Sequence, residues 1–288
     1  MPNIIRQFLS APDKAIWLNQ YLRRRRRSRQ LRIEMARSSS LGGKLCLARR
    51  SDLTLLLDTT SYVDINLLWQ WEWEREQCAV MAEALRLFGS DDPVFLDIGA
   101  YWGLYAMLAV KAGVRQVHAF EPDPRNHAQL HAQLFLNDLT DAIVVHRTAL
   151  SDRDGEISFC RSEAIEGGNR GHAGVVADAS PNAISVACAR LDSLFTFTGR
   201  TVVMKIDVEG HELSVLRGME QLVRSNRVFM QIESFEAQHD SVFAFAASIG
   251  LRHMRTITVD HYFTNISGAE CRWLHGRADA GGPAISRL

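Results

Sequence analysis

Apolar residues in this chain gather in short runs separated by stretches with a helical period. The runs at Val94–Ile98, Gln116–Glu121, Ile143–Thr148, Thr201–Asp207 and Val228–Ile232 are too short for helices and predict buried strands. Between them, apolar residues recur every three or four positions, which predicts helices near Gly103–Ala112, from Asp123 onward, over Glu212–Ser225 and over Ser241–Ile249. Strands alternating with helices imply a mostly parallel sheet covered on both faces, because parallel neighbours need a crossover between them. The helix after the second strand has local start and stop signals. Asp123 is a good N-cap, Pro124 suits the first helical position, and Asn137 fits a left-handed cap.

The flanks are less regular. Ser38–Gly43 reads as a flexible break and Lys44–Leu57 as a short hairpin, with a domain boundary near residue 60. That gives a basic arm and hairpin over 1–60 and one α/β domain over 61–288. A helical stripe (Leu67, Leu68, Trp71, Cys78, Met81, Leu85, Phe88) predicts a helix over Ile65–Phe88, stopped by Gly89 and Asp91-Asp92-Pro93. Asp152–Gly155 reads as a turn into an antiparallel edge ribbon at Glu156–Cys160. Residues 161–182 lack periodicity and read as a long functional loop. A strand at Ile184–Ala189, a short helix from Leu191 and final strands near His253–Val259 and Tyr262–Ile266 complete the pattern.

Composition supports a globular protein, since 47% hydrophobic residues in 288 can fill a core. The formal charge of zero hides a division. Residues 1–50 hold 13 Lys+Arg against 2 Asp+Glu, leaving 20 against 31 for the rest. Arg23 to Arg27 follow a mildly amphipathic stretch. They can dock on the acidic remainder of the chain or make peripheral contact with an anionic membrane; no recognition module accompanies them, so no nucleic acid is expected. Five scattered cysteines without C-x-x-C spacing predict neither a disulfide framework nor a zinc site. No apolar run is long enough to span a bilayer and no signal core opens the chain, so a cytoplasmic location is the expectation.

The chemistry concentrates at the strand ends. VFLDIGAYWGLY (Val94 to Tyr105) runs a strand into Asp97 and a glycine-bearing turn, and Glu121 closes the next strand 22 residues after Gly99. An acid at the second strand end suits a ribose diol. The spacing D-x-G-x-x-x-G differs from the dinucleotide pattern G-x-G-x-x-G, and a carboxylate beside the turn would repel a diphosphate and attract a cation. S-adenosylmethionine, which carries an ammonium and a sulfonium, fits that polarity.

DIGAYWGLYA (Asp97 to Ala106), AFEPDP (Ala119 to Pro124), ALSD..G (Ala149 to Gly155) and KIDVEGHE..VLRG (Lys205 to Gly218) together resemble the FkbM family of S-adenosylmethionine-dependent methyltransferases, over about residues 65–266. The resemblance implies a class I methyltransferase fold, a Rossmann-like seven-stranded sheet with helices on both faces. It also implies methylation of a hydroxyl on a carbohydrate or natural-product scaffold, with S-adenosyl-L-methionine as cofactor. The implied cofactor seat comprises Asp97, Gly99, Ala100, Tyr101, Gly103, Glu121, Pro122, Asp123, Ala149, Leu150 and Asp207. The family commonly has Asn where this chain has Tyr101.

Methylating an alcohol needs a group to take the hydroxyl proton. Asp207, Glu209 and His211 are the candidate bases. Lys205 shares a strand face with Asp207, and Glu233 ends the neighbouring strand. Each has a plainer alternative: His211 as a helix cap, Glu209 and Glu233 as partners of turn amides. Asp207, Glu209 and Glu233 also suit a divalent cation, although no metal is expected. Trp69, Trp71 and Trp73 can line an acceptor mouth or fill core. An NAD-linked oxidoreductase and a catalytically silent scaffold are the rival readings.

Overall fold

The computed structural model describes residues 44–50, 52–69, 74–161, 170–177, 180 and 183–267. The arginine run at Arg23 to Arg27, Trp71, Trp73, Cys271 and residues 162–169 of the long loop lie outside these. The chain divides into two compact units, residues 1–48 with 56–73 and residues 49–55 with 74–288. The span read as a hairpin forms a two-stranded ribbon, β1 (Leu45–Arg50) and β2 (Leu53–Asp58). In the first unit, α1 (Tyr62–Trp69) follows a turn held by buried Asp64, whose carboxylate accepts from the Asp58 amide at 2.7 Å and the Ser61 hydroxyl at 3.3 Å.

The second unit holds the four motifs quoted above. It runs through α2 (Arg75–Phe88), β3 (Val94–Ile98), α3 (Leu104–Lys111), β4 (Gln116–Phe120), α4 (Pro124–Leu136) and β5 (Ile143–His146). Next come β6 (Ala149–Leu150), β7 (Gly155–Cys160), β8 (Gly174–Val175), β9 (Ala183–Ala189) and α5 (Leu191–Leu194). The chain then forms β10 (Thr201–Ile206), α6 (Glu212–Arg217), α7 (Glu220–Ser225), β11 (Arg227–Glu233), α8 (Glu236–Ser248), β12 (Arg252–Ile257) and β13 (Asp260–Thr264). Seven strands make one sheet in the order β12-β13-β11-β10-β3-β4-β5, while β6-β9-β7-β8 form a smaller one. The large sheet is mixed: β10, β3, β4, β5 and β11 pair in parallel, and β13 runs antiparallel to both neighbours.

The two faces of the large sheet differ. Val94, Leu96, Ile98, Val202, Met204, Ile206, Met230 and Ile232 face α6, α7 and α8 and form the main core with Val215, Leu216, Leu222, Val223 and Val242. Register pairs place Asp97 beside Ala119 and Lys205, Lys205 beside Gln231, and Gln231 beside Tyr262. By the two-residue alternation these paired side chains share the opposite face, so a polar row crosses the sheet there, all of it buried.

Several boundaries differ from the sequence expectation, some of them for a tertiary reason. The helix expected over Ile65–Phe88 is two helices in two units, and Glu74 before the second has left-handed backbone (φ 47°). The third strand ends at His146 rather than Thr148, because Ala149 and Leu150 join β9 in the small sheet. The helix expected over Glu212–Ser225 breaks at Gly218, where a Cβ would lie 1.9 Å from the Ser151 carbonyl oxygen. The Asp192 carboxylate then starts α7 by accepting from the Gln221 and Leu222 amides at 3.0 and 2.8 Å. Asn137 is not the left-handed residue (φ −117°); Asp138 is (φ 57°), while Asn137 exchanges two hydrogen bonds with the Thr54 backbone. α8 starts at Glu236, earlier than the expected Ser241.

Candidate active site

Strand order reverses at β3. β4 and β5 lie to one side, while β10, reached only after the small sheet, lies to the other. Loops leaving the carboxyl ends of adjacent strands on opposite sides of such a point diverge and leave a crevice. Here the loop after β3 is tied down on both flanks. The Gly99 and Ala100 amides donate to the Phe120 carbonyl at 3.0 and 2.9 Å, and the Asp207 amide donates to the Ile98 carbonyl at 2.9 Å. Gly99 has φ +78°, and a Cβ there would sit 1.7 Å from the Asp207 carbonyl oxygen, so only glycine fits this contact. A Cβ on Gly103 would likewise meet Leu130 of α4 at 2.2 Å.

Glu121 follows β4 and is 5% exposed. One of its carboxylate oxygens accepts from the Tyr101 amide and the other from the Asp123 amide, each at 2.8 Å. A carboxylate oxygen has two lone pairs, so each retains one for a further donor, and two adjacent hydroxyls match that pair. Burial pushes the Glu121 carboxyl up to about 8. Asp97, 1% exposed at the end of β3, is likewise pushed up to about 7 by burial, against the pull of Lys205. It accepts from the Ala106 amide at 2.8 Å, which braces the first turn of α3. Asp123 caps α4 by accepting from the Arg125 and Asn126 amides, both at 2.9 Å. Pro122 beside it is buried.

The polar row comes to the surface at the end of β10. Lys205 Nζ lies 2.9 Å from Asp207 and 3.6 Å from Glu74, and 4.5 Å from the centroid of the Tyr105 ring. Its side chain is only 6% exposed. Burial disfavours the ammonium, but Asp207 and Glu74 outweigh it and hold Lys205 above its ordinary value. Glu74 also accepts from the Tyr105 hydroxyl at 2.6 Å. Behind them Gln231 donates to Asp260 at 2.7 Å and to the Tyr105 oxygen at 3.2 Å, and Gln77 donates to Asp260 at 3.0 Å. Burial and the Asp207 charge raise Glu233, and the same two causes push Glu209 up to about 8. Lys205 therefore neutralises only part of an acid-rich rim.

The structure brings Lys205, Asp207 and Glu233 together but sends His211 elsewhere. The His211 imidazole makes no helix cap; its Nε2 lies 2.9 Å from the Ser151 hydroxyl, and burial lowers its pKa. Ser151 follows Ala149 and Leu150, so His211 ties β6 to the loop after β10. Glu209 has left-handed backbone (φ 52°), and β8 passes over it closely enough that a Cβ on Gly174 would lie 3.3 Å from the Glu209 Cβ. Among the described residues, no three His, Cys, Asp or Glu side chains are grouped so as to hold a metal ion, which leaves the divalent-cation alternative for Asp207, Glu209 and Glu233 unsupported. The four described cysteines are free thiols. No helix among the described residues is long and apolar enough to cross a membrane.

Two site neighbours had no sequence signal. Glu74 lies beside the tryptophans in sequence, and nothing local announces its link to Lys205. Arg170 comes from the long loop, is 4% exposed, and has its guanidinium carbon 5.4 Å from the centroid of Tyr101.

A family model described as the methyltransferase FkbM domain matches residues 97–266, more than half of the chain. The hexuronic acid methyltransferase AglP of Haloferax volcanii is 30% identical over 149 residues, covering 50% of this chain and 57% of the relative, so the match spans little more than half of that protein. A solved FkbM methyltransferase from Methylobacillus flagellatus KT is 20% identical, with a TM-score of 0.41 over 60% of this chain and 43% of that one. An S-adenosylmethionine-dependent methyltransferase from Agrobacterium tumefaciens gives a TM-score of 0.44 at 10% identity, over 77% of this chain and 70% of its own. On the extent of the family match, the chain belongs to the FkbM methyltransferase family.

Proposed function

We propose that the chain methylates a hydroxyl oxygen of a carbohydrate or natural-product scaffold, with S-adenosylmethionine as donor. The observation that carries the cofactor assignment is Glu121: a buried carboxylate beside the strand-order reversal, oriented by two backbone amides, with one acceptor site left on each oxygen. The surrounding charge supports it, since the acids around Lys205 suit a ligand that brings positive charge. Family membership leaves the oxidoreductase alternative without support. The relative's action on hexuronic acid favours a carbohydrate acceptor.

When bound, the cofactor supplies an electrophilic methyl carbon. The chain's own residues then have two tasks. Glu121, Asp97 and the Gly99–Gly103 loop fix the donor's orientation, which in favourable intramolecular cases contributes about 7–11 kcal/mol to rate. Asp207 takes the acceptor's hydroxyl proton, and Lys205, 2.9 Å away, is its ion-pair partner. Glu233, whose carboxyl burial and the Asp207 charge hold protonated, donates its hydrogen bond to Asp207 and so supports the base from the neighbouring strand.

The test is transfer of label from methyl-tritiated S-adenosylmethionine to a panel of glycosides and oligosaccharides, with the product checked for an alkali-stable methyl ether. Label in a hydroxyl-bearing acceptor is the expected result. Binding of S-adenosylhomocysteine with no transfer to any hydroxyl would contradict the acceptor class. Failure to bind it at all would contradict the cofactor.

A further inference from the structure

Arg170 is a guanidinium held away from water at the edge of the proposed cofactor seat. Such a group is always charged and costly to bury, so its position calls for a reason. It comes from a short turn, Arg170–His172, within the span read as the long loop. Nη1 donates to Asn126 Oδ1 at 3.3 Å, Nη2 donates to Gln129 Oε1, and the Arg170 carbonyl accepts from Asn126 Nδ2 at 3.3 Å. These bonds fasten the loop to the first two turns of α4, the helix that Asp123 caps. The guanidinium also lies over the ring of Tyr101. Tyr101 in turn has left-handed backbone (φ 51°), uncommon outside glycine, and its amide is one of the two that orient Glu121.

We propose that Arg170 is a positioning residue for the cofactor, pressing Tyr101 into the strained conformation in which its amide orients the Glu121 carboxylate. Loop, α4 and the turn after β3 thereby form one bracket around that carboxylate. A strained backbone persists where its surroundings hold it, and a stacked cation held on two sides supplies such a hold. The inference rests on the reading that Glu121 receives the ribose hydroxyls of S-adenosylmethionine. It also gives Tyr101 a purpose: a planar face for Arg170 to rest on.

The experiment is calorimetric titration with S-adenosylhomocysteine of the full-length wild type, Arg170→Ala, Tyr101→Leu and the double variant, with melting temperatures measured alongside. The expected result is that Arg170→Ala weakens binding about tenfold. The double variant should be no weaker than the poorer single variant, because both act through one contact. Arg170→Ala that melts earlier yet binds like wild type would overturn the assignment, as a purely structural role predicts that outcome. Strict additivity in the double variant would overturn it as well. Should Arg170→Ala fail to fold, Arg170→Lys keeps the charge but loses the planar fork; weakened binding there supports the assignment and wild-type affinity overturns it. A wild type that itself fails to bind removes the cofactor reading, whereas a wild type that binds alongside an equal Arg170→Ala removes the Arg170 assignment alone.

Discussion

Replacing Glu121 by alanine separates the ligand role proposed for this side chain from its role in the fold. Towards ligand, the carboxylate offers one acceptor site per oxygen to a diol. A hydrogen bond to a charged group contributes about 1.5–3 kcal/mol, so losing this recognition should weaken S-adenosylhomocysteine about 10- to 150-fold. Towards the fold, two effects oppose each other. The Tyr101 and Asp123 amides lose their acceptor, which costs about 1–3 kcal/mol for each amide that water does not reach. Against this, the ionised carboxylate is itself disfavoured by burial, as its rise from 4.5 to about 8 shows. A group whose folded pKa lies above its unfolded one contributes stability in full below the unfolded value and loses it as pH rises through the folded value. Glu121→Ala should therefore destabilise the unliganded protein more at pH 6 than at pH 9. Calorimetric titration gives the first quantity, and urea unfolding at the two pH values gives the second. An unchanged dissociation constant would refute the diol assignment, and an equal destabilisation at both pH values would refute the burial argument.

Asp207→Asn should lower turnover by about 10²- to 10⁴-fold while changing S-adenosylhomocysteine affinity only a few-fold; equal turnover in the variant, measured once an acceptor is in hand, would mean the proton goes elsewhere. Gly99→Ala should destabilise by about 2 kcal/mol or more, because it adds a clash with the Asp207 carbonyl to a strained φ. Gly113→Ala, with φ +91° and open space around it, carries the strain alone and is the comparator; equal urea midpoints for the two would exclude the clash. Asp97 and Glu121 titrate near 7 and 8 against ordinary values of 3.8 and 4.5, so the melting temperature of the unliganded protein should fall between pH 5 and pH 9, and Glu121→Gln should flatten the upper part of that fall. A melting temperature that rises over the same range would contradict the burial of these acids.

What the sequence made legible depended on local physics. Val94–Ile98 was readable to the residue because a buried parallel strand is a continuous apolar run, and the start of α4 was readable because Asp123 and Pro124 signal it without help from the fold. The Lys205–Asp207 pairing followed from the two-residue strand period. Features that depend on approach between distant segments were not readable. The break at Gly218 exists because Ser151 passes 67 positions earlier in the chain but adjacent in space. Glu74 and Arg170 reach the site only through folding, from a helix cap and from a loop with no period. His211, itself one of the three candidate bases, lies close to the other two in sequence, yet its side chain turns to Ser151, because beyond the strand end the alternation rule no longer governs direction.

Seating of a methyl donor through Glu121, on the acid-bearing rim at the strand-order reversal, is the proposal on which the other assignments depend. It is tested most directly by titrating S-adenosylhomocysteine into the full-length protein and into Glu121→Ala in the same calorimeter. Saturable heat at one ligand per chain in the wild type, with affinity reduced at least tenfold in the variant, is the predicted result. No heat and no thermal stabilisation of the wild type at millimolar ligand would contradict that seating.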